Sequence, residues 1–205
     1  MPDKNQEKVK SLYNSRALTY TSFINNFFLL AAVKKSEKKA MRSLLKNIEG
    51  HDVLEVGCGT GFYTELLLKM NAAKIFALDI SSEMLKQLPS SDKITPVCAN
   101  AENFNLDRKF DVLMNSGATE FVKEPIKVFQ TLRAHSNTNA ILYLHIANKS
   151  ITCRLLKFYY GLRGISFNLF SDKMIQEYAK KANWAVEAKT GNIFKSSSIY
   201  RLKAV

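Results

Sequence analysis

The sequence predicts an α/β fold in which a mainly parallel sheet is covered by helices on both faces. Short apolar runs typical of buried strands alternate with segments of helical periodicity from residue 51 onward. The first of these runs, 52–56, passes directly into a glycine-rich turn and then into a helix. The chain has 205 residues, of which 46% are hydrophobic, so it is long enough for one domain with a full core.

The individual elements follow from apolar spacing and from capping and turn signals. Helices are predicted at residues 4–16, 25–48 and 62–70, with Ser81 as the cap of a further helix, and at 149–182 with a break at 161–164. Strands are predicted at 52–56, 74–79, 94–98, 110–114, 139–145, 185–189 and 199–203. The last two strands are joined by a turn at 190–192 and are expected to pair antiparallel.

The most informative segment is Asp52-Val-Leu-Glu-Val-Gly-Cys-Gly-Thr-Gly-Phe62, a strand followed by the glycine-rich turn. Gly57, Gly59 and Gly61 permit positive φ and allow a ligand to lie against bare backbone. The free N–H groups of the following helix face the same crevice. About twenty residues later a second strand ends in Asp79, whose carboxylate can accept hydrogen bonds from a ribose diol. The pattern therefore predicts a site for a nucleoside-containing cofactor.

The spacing of the glycines distinguishes between cofactors. The dinucleotide pattern is G-x-G-x-x-G/A, whereas here the third glycine comes one residue early and Phe62 takes the late position. The P-loop pattern G-x-x-x-x-G-K-[ST] does not occur. Residues 54–61 instead resemble the first motif of class I S-adenosylmethionine-dependent methyltransferases. Glu55 suits that cofactor, because a carboxylate favours a cationic amino and sulfonium group over phosphates.

This resemblance implies a three-layer Rossmann-like sheet of seven strands, mostly parallel with an antiparallel C-terminal strand. It implies S-adenosyl-L-methionine as cofactor and S-adenosyl-L-homocysteine as product. It also implies that Asp79 binds the ribose, and that Asn100, in place of the family's usual Asp, accepts from the adenine amine through its side-chain oxygen. The predicted cofactor-binding residues are Tyr13, Glu55, Gly57, Cys58, Gly59, Gly61, Asp79, Ile80, Asn100, Ala101, Glu102 and Asn115.

Two residues are candidates for catalysis, Tyr20 and His145. Residues 12–20 resemble the Tyr-x-x-x-Ala-x-x-Tyr segment of small-molecule methyltransferases, which implies that Tyr13 and Tyr20 lie over the cofactor. Packing of one helix face on the core is the alternative for both tyrosines. His145 ends the fifth strand, where an imidazole can take a proton from a hydroxyl acceptor, and a structural hydrogen bond is the alternative. The other histidines are expected to be structural: His51 and His135.

The net charge of +12 is distributed unevenly. Residues 1–50 carry 10 Lys and Arg against 4 Asp and Glu, residues 51–148 carry 9 against 11, and residues 149–205 carry 11 against 3. Basic flanks predict an anionic acceptor or an acidic surface nearby, and solvated lysines are the plain alternative. The segment 154–163 mixes bases with aromatics and is interpreted as a substrate cap. The alternative is an amphipathic helix whose apolar side packs inward.

Length, cysteine content and hydropathy give the expected domain organisation and location. One domain is predicted, with a helical cap at 1–50, a cofactor-binding core at 51–148, substrate-cap helices at 149–182 and a strand pair at 183–205. Three cysteines without metal-ligand spacing predict reduced thiols, no metal site and a cytoplasmic location. The most apolar segment, 27–33, is far shorter than the roughly 20 residues of a membrane-spanning helix.

The same residues bear on several other functions. Glycine spacing and Glu55 disfavour a nicotinamide dehydrogenase. The fourth strand ends in 114–117, Met-Asn-Ser-Gly, rather than in the Asn/Asp-Pro-Pro-aromatic tetrad of enzymes that methylate base amino groups. No DNA partner is therefore expected, while RNA methylation through the basic flanks stays an alternative. Glu120 and Glu124 do not form the glutamate pair of protein-arginine methyltransferases, and a non-catalytic cofactor binder stays an alternative.

The sequence therefore favours transfer of a methyl group to a small-molecule acceptor. Oxygen is the first candidate for the acceptor atom, followed by nitrogen or carbon. In-line displacement needs the nucleophile, methyl group and sulfur aligned, so orientation is expected to be the main catalytic contribution.

Overall fold

The computed structural model describes residues 3–205, so the first two residues of the predicted N-terminal cap lie outside the described residues. The strands are β1 Asp52–Val56, β2 Lys74–Asp79, β3 Ile94–Cys98, β4 Phe110–Ser116, β5 Ser136–Ala147, β6 Trp184–Gly191 and β7 Ser197–Ala204. The helices are α1 Lys4–Asn26, α2 Phe28–Leu44, α3 Thr64–Lys69, α4 Ser82–Leu85, α5 Pro125–Ala134, α6 Ile151–Gly161 and α7 Asp172–Lys181. A 3₁₀ turn covers Thr119–Phe121.

The seven strands form one sheet in the order β3-β2-β1-β4-β5-β7-β6. All neighbours are parallel except β7, which runs antiparallel to both β5 and β6. The predicted α/β class, the number of strands and the antiparallel C-terminal strand are confirmed. The chain leaves β1 toward β2 on one side and enters β4 on the other, so a crevice opens at the carboxyl ends of β1 and β4.

Helices cover both faces of the sheet, which explains why β1 is buried at four successive positions. On one face α5 and α7 pack on the sheet through Phe129, Leu132 and Ile175. On the other face α2 and α3 pack through Met41 and Leu67. A smaller apolar cluster joins α1, α6 and the segment that follows α6. No helix within residues 3–205 combines the length and the apolar content needed to cross a bilayer.

The helix predicted at 25–48 is wrong at both ends. The chain is helical from Lys4 to Asn26, breaks at Phe27, where ψ is 100°, and resumes as α2. At its other end α2 stops at Leu44, well before Gly50. The Tyr143 hydroxyl accepts from the Lys46 N–H at 3.0 Å and donates to the Lys46 carbonyl at 3.1 Å. Those bonds replace the ones that another turn of helix would have made.

Smaller differences affect the strands and the glycine turn. β4 continues to Ser116. β5 begins at Ser136, and the irregularity in its pairing with β4 includes Asn139, which has a φ of 64°. The helix predicted at 62–70 is shorter, since residues up to Tyr63 still belong to the turn. Ser81 caps α4 as predicted, and its hydroxyl accepts from the Met84 N–H at 3.1 Å.

Removal of the Tyr143 hydroxyl tests whether its two hydrogen bonds to Lys46 stabilise the chain after the end of α2. Tyr143 is fully buried, so Tyr143→Phe leaves the N–H and the carbonyl of Lys46 without their partner. We expect the free energy of unfolding to fall by about 2 kcal/mol and the Tm by about 4–8 °C. The control is Tyr178→Phe, whose hydroxyl makes no hydrogen bond within residues 3–205 and which should change the Tm little. Equal losses in the two variants, measured by thermal unfolding, would contradict this account.

Candidate functional site

The turn after β1 leaves one glycine facing open space. Gly57, Gly59 and Gly61 have φ values of 78°, 55° and 94°. A Cβ on Gly57 would lie 2.9 Å from the Ala118 Cβ, and one on Gly61 would lie 2.8 Å from the Pro89 Cδ. A Cβ on Gly59 would meet nothing within 4 Å. The outer glycines are therefore required by packing, while the backbone at Gly59 is the part that a ligand can approach.

Asp79 joins the end of β2 to this turn. Its Oδ2 accepts from the Gly59 N–H at 2.9 Å, and its Oδ1 accepts from the Ser81 N–H at 2.9 Å. The Leu78 carbonyl accepts from the N–H groups of Gly57 and Cys58 as well. Burial raises the pKa of Asp79, while the backbone donors oppose that rise. Each carboxylate oxygen keeps lone-pair capacity, so a ribose diol beside Gly59 would find an acceptor there.

Unpaired polar atoms lie buried between β1 and β4. Glu55 is fully buried, and its Oε2 accepts from the Thr64 hydroxyl at 2.6 Å while its Oε1 has no partner within the described chain. Asn115 accepts through Oδ1 from Thr119 at 3.0 Å, and its Nδ2 is unpaired. Burial raises the pKa of Glu55 to about 7, and the nearby hydroxyls of Thr64 and Ser116 oppose that rise. An unpaired carboxylate oxygen in this position fits a cationic amino group.

At the far end of the crevice Asn100 is already hydrogen-bonded. Its Oδ1 accepts from the Glu102 N–H at 3.0 Å, and its Nδ2 donates to the Gln6 side chain of α1 at 2.8 Å. Gln6 in turn donates to the Glu102 carboxylate. An adenine amine would donate to the second lone pair of the Asn100 Oδ1. Ala101 is buried between these residues.

The helix α1 lies across the whole crevice. Gln6 meets the loop after β3, Asn14 accepts from the Ser81 hydroxyl after β2 at 2.6 Å, and Thr21 donates to Thr60 in the glycine turn at 3.0 Å. Tyr13 lies midway along this helix. Its hydroxyl lies 3.2 Å from that of Tyr160, and burial together with Tyr160 raises its pKa.

A second polar group forms where α2 meets the end of β5. The His145 Nε2 lies 3.5 Å from the Glu37 Oε1, and the Glu37 Oε2 lies 3.0 Å from the Lys34 Nζ. The Tyr63 ring lies edge-on to the His145 ring, with centroids 5.8 Å apart. Burial favours the neutral form of Glu37, but Lys34 and His145 outweigh it and hold its pKa below the usual range.

The two catalytic candidates lie on different elements. Burial tends to lower the pKa of Lys34, and the negative charge of Glu37 raises it instead. His145 from β5 lies beside this Lys34–Glu37 pair, whereas the ring of Tyr20 on α1 lies edge-on to that of Tyr13, with centroids 6.1 Å apart. The remaining histidines lie elsewhere: His51 sits at the start of β1, and His135 is held by Leu106 and Thr131.

Three charged residues near the site are absent from the residues predicted from the sequence: Lys34, Glu37 and Glu120. Lys34 and Glu37 are three residues apart on α2, and Glu37 shares the buried side of that helix with Ala40 and Met41. A carboxylate among apolar positions at helical spacing was the available signal. Glu120 is buried as well, and its Oε1 accepts from the Ala147 N–H at 2.6 Å. The other predicted residues, Cys58 and Ile80, pack within the site, and burial raises the pKa of the Cys58 thiol.

Comparison with known proteins points to one family. The sequence profile described as "Methyltransferase domain" matches residues 28–189. A malonyl-[acyl-carrier protein] O-methyltransferase of Priestia megaterium is 29% identical over 124 residues, which are 57% of this chain and 43% of that protein. The protein of the same name from Bacillus cytotoxicus is 28% identical over 196 residues, 90% of this chain and 57% of its own. The chain spans about half the length of the curated relatives it matches.

The fold has counterparts among solved structures. The magnesium protoporphyrin IX methyltransferase (ChlM) of Synechocystis PCC 6803, with bound SAH, superposes with a TM-score of 0.80 over 98% of this chain and 100% of that one. The two sequences are 17% identical, so this likeness concerns the fold.

The raised pKa of Glu55 gives a pH test of the site without any ligand. Between its ordinary pKa and about 7, the folded protein keeps a proton on Glu55 that the unfolded chain has released. The free energy of unfolding therefore falls as the pH rises through that window. Glu55→Gln cannot ionise, so relative to wild type it should gain about 2–3 kcal/mol between pH 5 and pH 8, measured by denaturant unfolding.

The matched control is Glu65→Gln, an exposed carboxylate on the same helix as Thr64. Its stability relative to wild type should differ little between the two pH values. A Glu55→Gln variant whose relative stability is the same at pH 5 and pH 8 would show that Glu55 is not held in the neutral form.

Proposed function

Because this chain belongs to the class I S-adenosylmethionine-dependent methyltransferases, we propose that it transfers a methyl group to an oxygen atom of a small-molecule acceptor. The observation that carries the proposal is the crevice where the bare backbone of Gly59 lies beside Asp79 and the unpaired Glu55 oxygen. The names of the curated relatives, which are O-methyltransferases, favour oxygen as the acceptor atom.

The residues present fit the cofactor of this family. When bound, S-adenosylmethionine supplies a methyl group activated by a sulfonium, and S-adenosylhomocysteine remains as product. We assign the ribose hydroxyls to Asp79 and the amino group to Glu55 and Asn115, whose buried polar atoms are incompletely paired. The open face of Gly59 leaves room for a ligand against the backbone. The helix α1 covers the crevice and would keep water from the reacting atoms.

On the acceptor side His145 is assigned the role of general base. As the acceptor oxygen bonds to the methyl carbon, its proton passes to the imidazole, and the Glu37 carboxylate stabilises the resulting positive charge. Lys34 keeps Glu37 ionised. Tyr20 is the second candidate, because it lies on α1 next to Tyr13, with ring centroids 6.1 Å apart. Alignment of the acceptor, the methyl group and the sulfur under α1 would supply most of the rate enhancement. The general base would add roughly 10²–10⁴-fold for a hydroxyl acceptor.

The basic flanks support an anionic acceptor, since a positive field raises the local concentration of anions. RNA methylation is the second candidate function, and the same flanks are the observation that favours it. The cytoplasmic location and the division into a cap, a core, substrate-cap helices and a strand pair stay predictions.

Binding of the product tests the cofactor site directly. S-Adenosylhomocysteine at about 100 times its Kd should stabilise the fold by about 3 kcal/mol and raise the Tm by several degrees. Asp79→Asn should lose most of this rise, because the ribose hydroxyls lose their charged acceptor. The control Asp107→Asn, on an exposed loop, should keep it. No rise in wild-type protein, measured by thermal shift, would refute the assignment of the crevice to this cofactor.

Transfer of label tests the acceptor class and the base together. Wild-type enzyme given methyl-labelled S-adenosylmethionine and a metabolite extract should place label in an extractable small molecule. His145→Asn should lower the rate by about 10²–10⁴-fold for a hydroxyl acceptor, while His51→Asn, just before the amino end of β1, should not. Label found only in RNA would overturn the small-molecule proposal. An unchanged rate in His145→Asn would refute the assignment of His145 as general base. It would indicate an acceptor that is already anionic, such as a carboxylate.

A further inference from the structure

Large apolar side chains exposed to solvent are confined to the two ends of the chain. Within residues 3–205 they occur on α1, α2, α6, the β6–β7 region and the C-terminal residue, and none lies between residues 51 and 148. The same flanks carry the whole excess of positive charge, while residues 51–148 carry slightly more acids than bases. Exposed apolar residues scattered singly are normal. Their concentration on basic segments needs an explanation of its own.

The helix α6 shows the arrangement most clearly. Its inward side is fixed to the protein by Cys153 and Tyr160, both of them buried. Its outward side carries an apolar stripe at intervals of four, three and four residues, which is one face of a helix. The members of the stripe and their exposed fractions are Ile151 80%, Leu155 65%, Phe158 66% and Leu162 71%. The helix thus has an apolar inward side, as in the predicted alternative, and a second apolar face that is exposed.

The charges around this stripe all have one sign. Residues 149–163 contain four bases and no Asp or Glu, namely Lys149, Arg154, Lys157 and Arg163. Each of the four is exposed. The neighbouring helix α1 adds Arg16, which donates to the Tyr159 hydroxyl at 2.6 Å, and Lys8, which donates to the Gly164 carbonyl. The surface thus combines protruding apolar groups with a cluster of bases.

We propose that α6 is an interfacial helix, and that this face of the protein lies on a lipid surface containing anionic headgroups. Apolar side chains at this spacing enter the boundary between headgroups and acyl chains, and flanking Lys and Arg pair with anionic lipid. A helix of 11 residues is only about 16 Å long. One stripe of four side chains offers a few hundred Å², whereas a stable protein interface takes about 800 Å² from each partner. A lipid surface needs no such area.

The inward side of α6 takes part in the cover of the crevice, because the Tyr160 hydroxyl lies 3.2 Å from that of Tyr13 on α1. The lipid contact itself does not depend on the proposed reaction, so it can be tested with protein and vesicles alone.

Vesicle flotation tests the contact. Wild-type protein is mixed with vesicles of phosphatidylcholine and phosphatidylglycerol, and separately with vesicles of phosphatidylcholine alone. We expect it to float with the anionic vesicles, and to be released by 0.5 M salt because the cations are then screened. Leu155→Gln and Phe158→Gln should each lower the partition coefficient about tenfold, since a large apolar side chain no longer enters the lipid.

The matched control is Val205→Gln, an exposed apolar residue that is 69% accessible at the end of β7. It should float as wild type does, and circular dichroism should show that all variants are folded. Wild-type protein that stays at the bottom of the gradient in the presence of anionic vesicles would overturn the proposal. Equal losses in Leu155→Gln and Val205→Gln would overturn it too. So would a dimer, or a complex with an acidic protein, that forms without lipid and is lost in Leu155→Gln.

Discussion

The hydrogen bond from the Gly59 N–H to the Asp79 carboxylate is the contact on which the site depends. It joins the turn after β1 to the end of the neighbouring strand β2, at 2.9 Å. Gly57 and Gly61 are packed too tightly to carry a side chain, so the turn cannot shift outward without breaking these contacts. The outcome is one stretch of exposed backbone, at Gly59, next to one carboxylate.

The helix α1 turns this open crevice into a covered one. Three of its side-chain hydrogen bonds each reach a loop that follows a different strand: Gln6 after β3, Asn14 after β2 and Thr21 after β1. Further bonds join α1 to α6 and the segment after it, from Arg16 to the Tyr159 hydroxyl and from Lys8 to the Gly164 carbonyl. Buried Val9 adds apolar packing, so α1 is fixed over the crevice along its length. The same cover explains why the Asn100 amide group is hydrogen-bonded to Gln6 of α1.

The sequence was sufficient where structure is encoded locally. The bounds of β1, β2 and β3 were predicted to the residue, because each is a short segment rich in strand-forming residues between turn signals. The glycine turn and Asp79 lie directly at the ends of β1 and β2, so their positions follow from those strands. The end of α2 was not, since it is set by Tyr143, nearly a hundred residues further along the chain. The break at Phe27 has no glycine or proline to announce it. Lys34 and Glu37 were missed because their partner, His145, meets them only through the fold.

Two buried carboxyl groups, Glu37 and Glu55, differ in their protonation behaviour, and this difference fits the two roles proposed for them. Glu37 is ionised because Lys34 and His145 compensate its burial, so it is a fixed negative charge at any working pH. Glu55 has no cation beside it, and burial raises its pKa to about 7. A fixed anion suits a neighbour that gains a proton during the reaction, as His145 would. A carboxyl group that is half neutral in the empty protein suits a site that meets a cation, because the cation restores its charge on binding. Environments that push the pKa values of two acids apart are a general means of giving one site two functions.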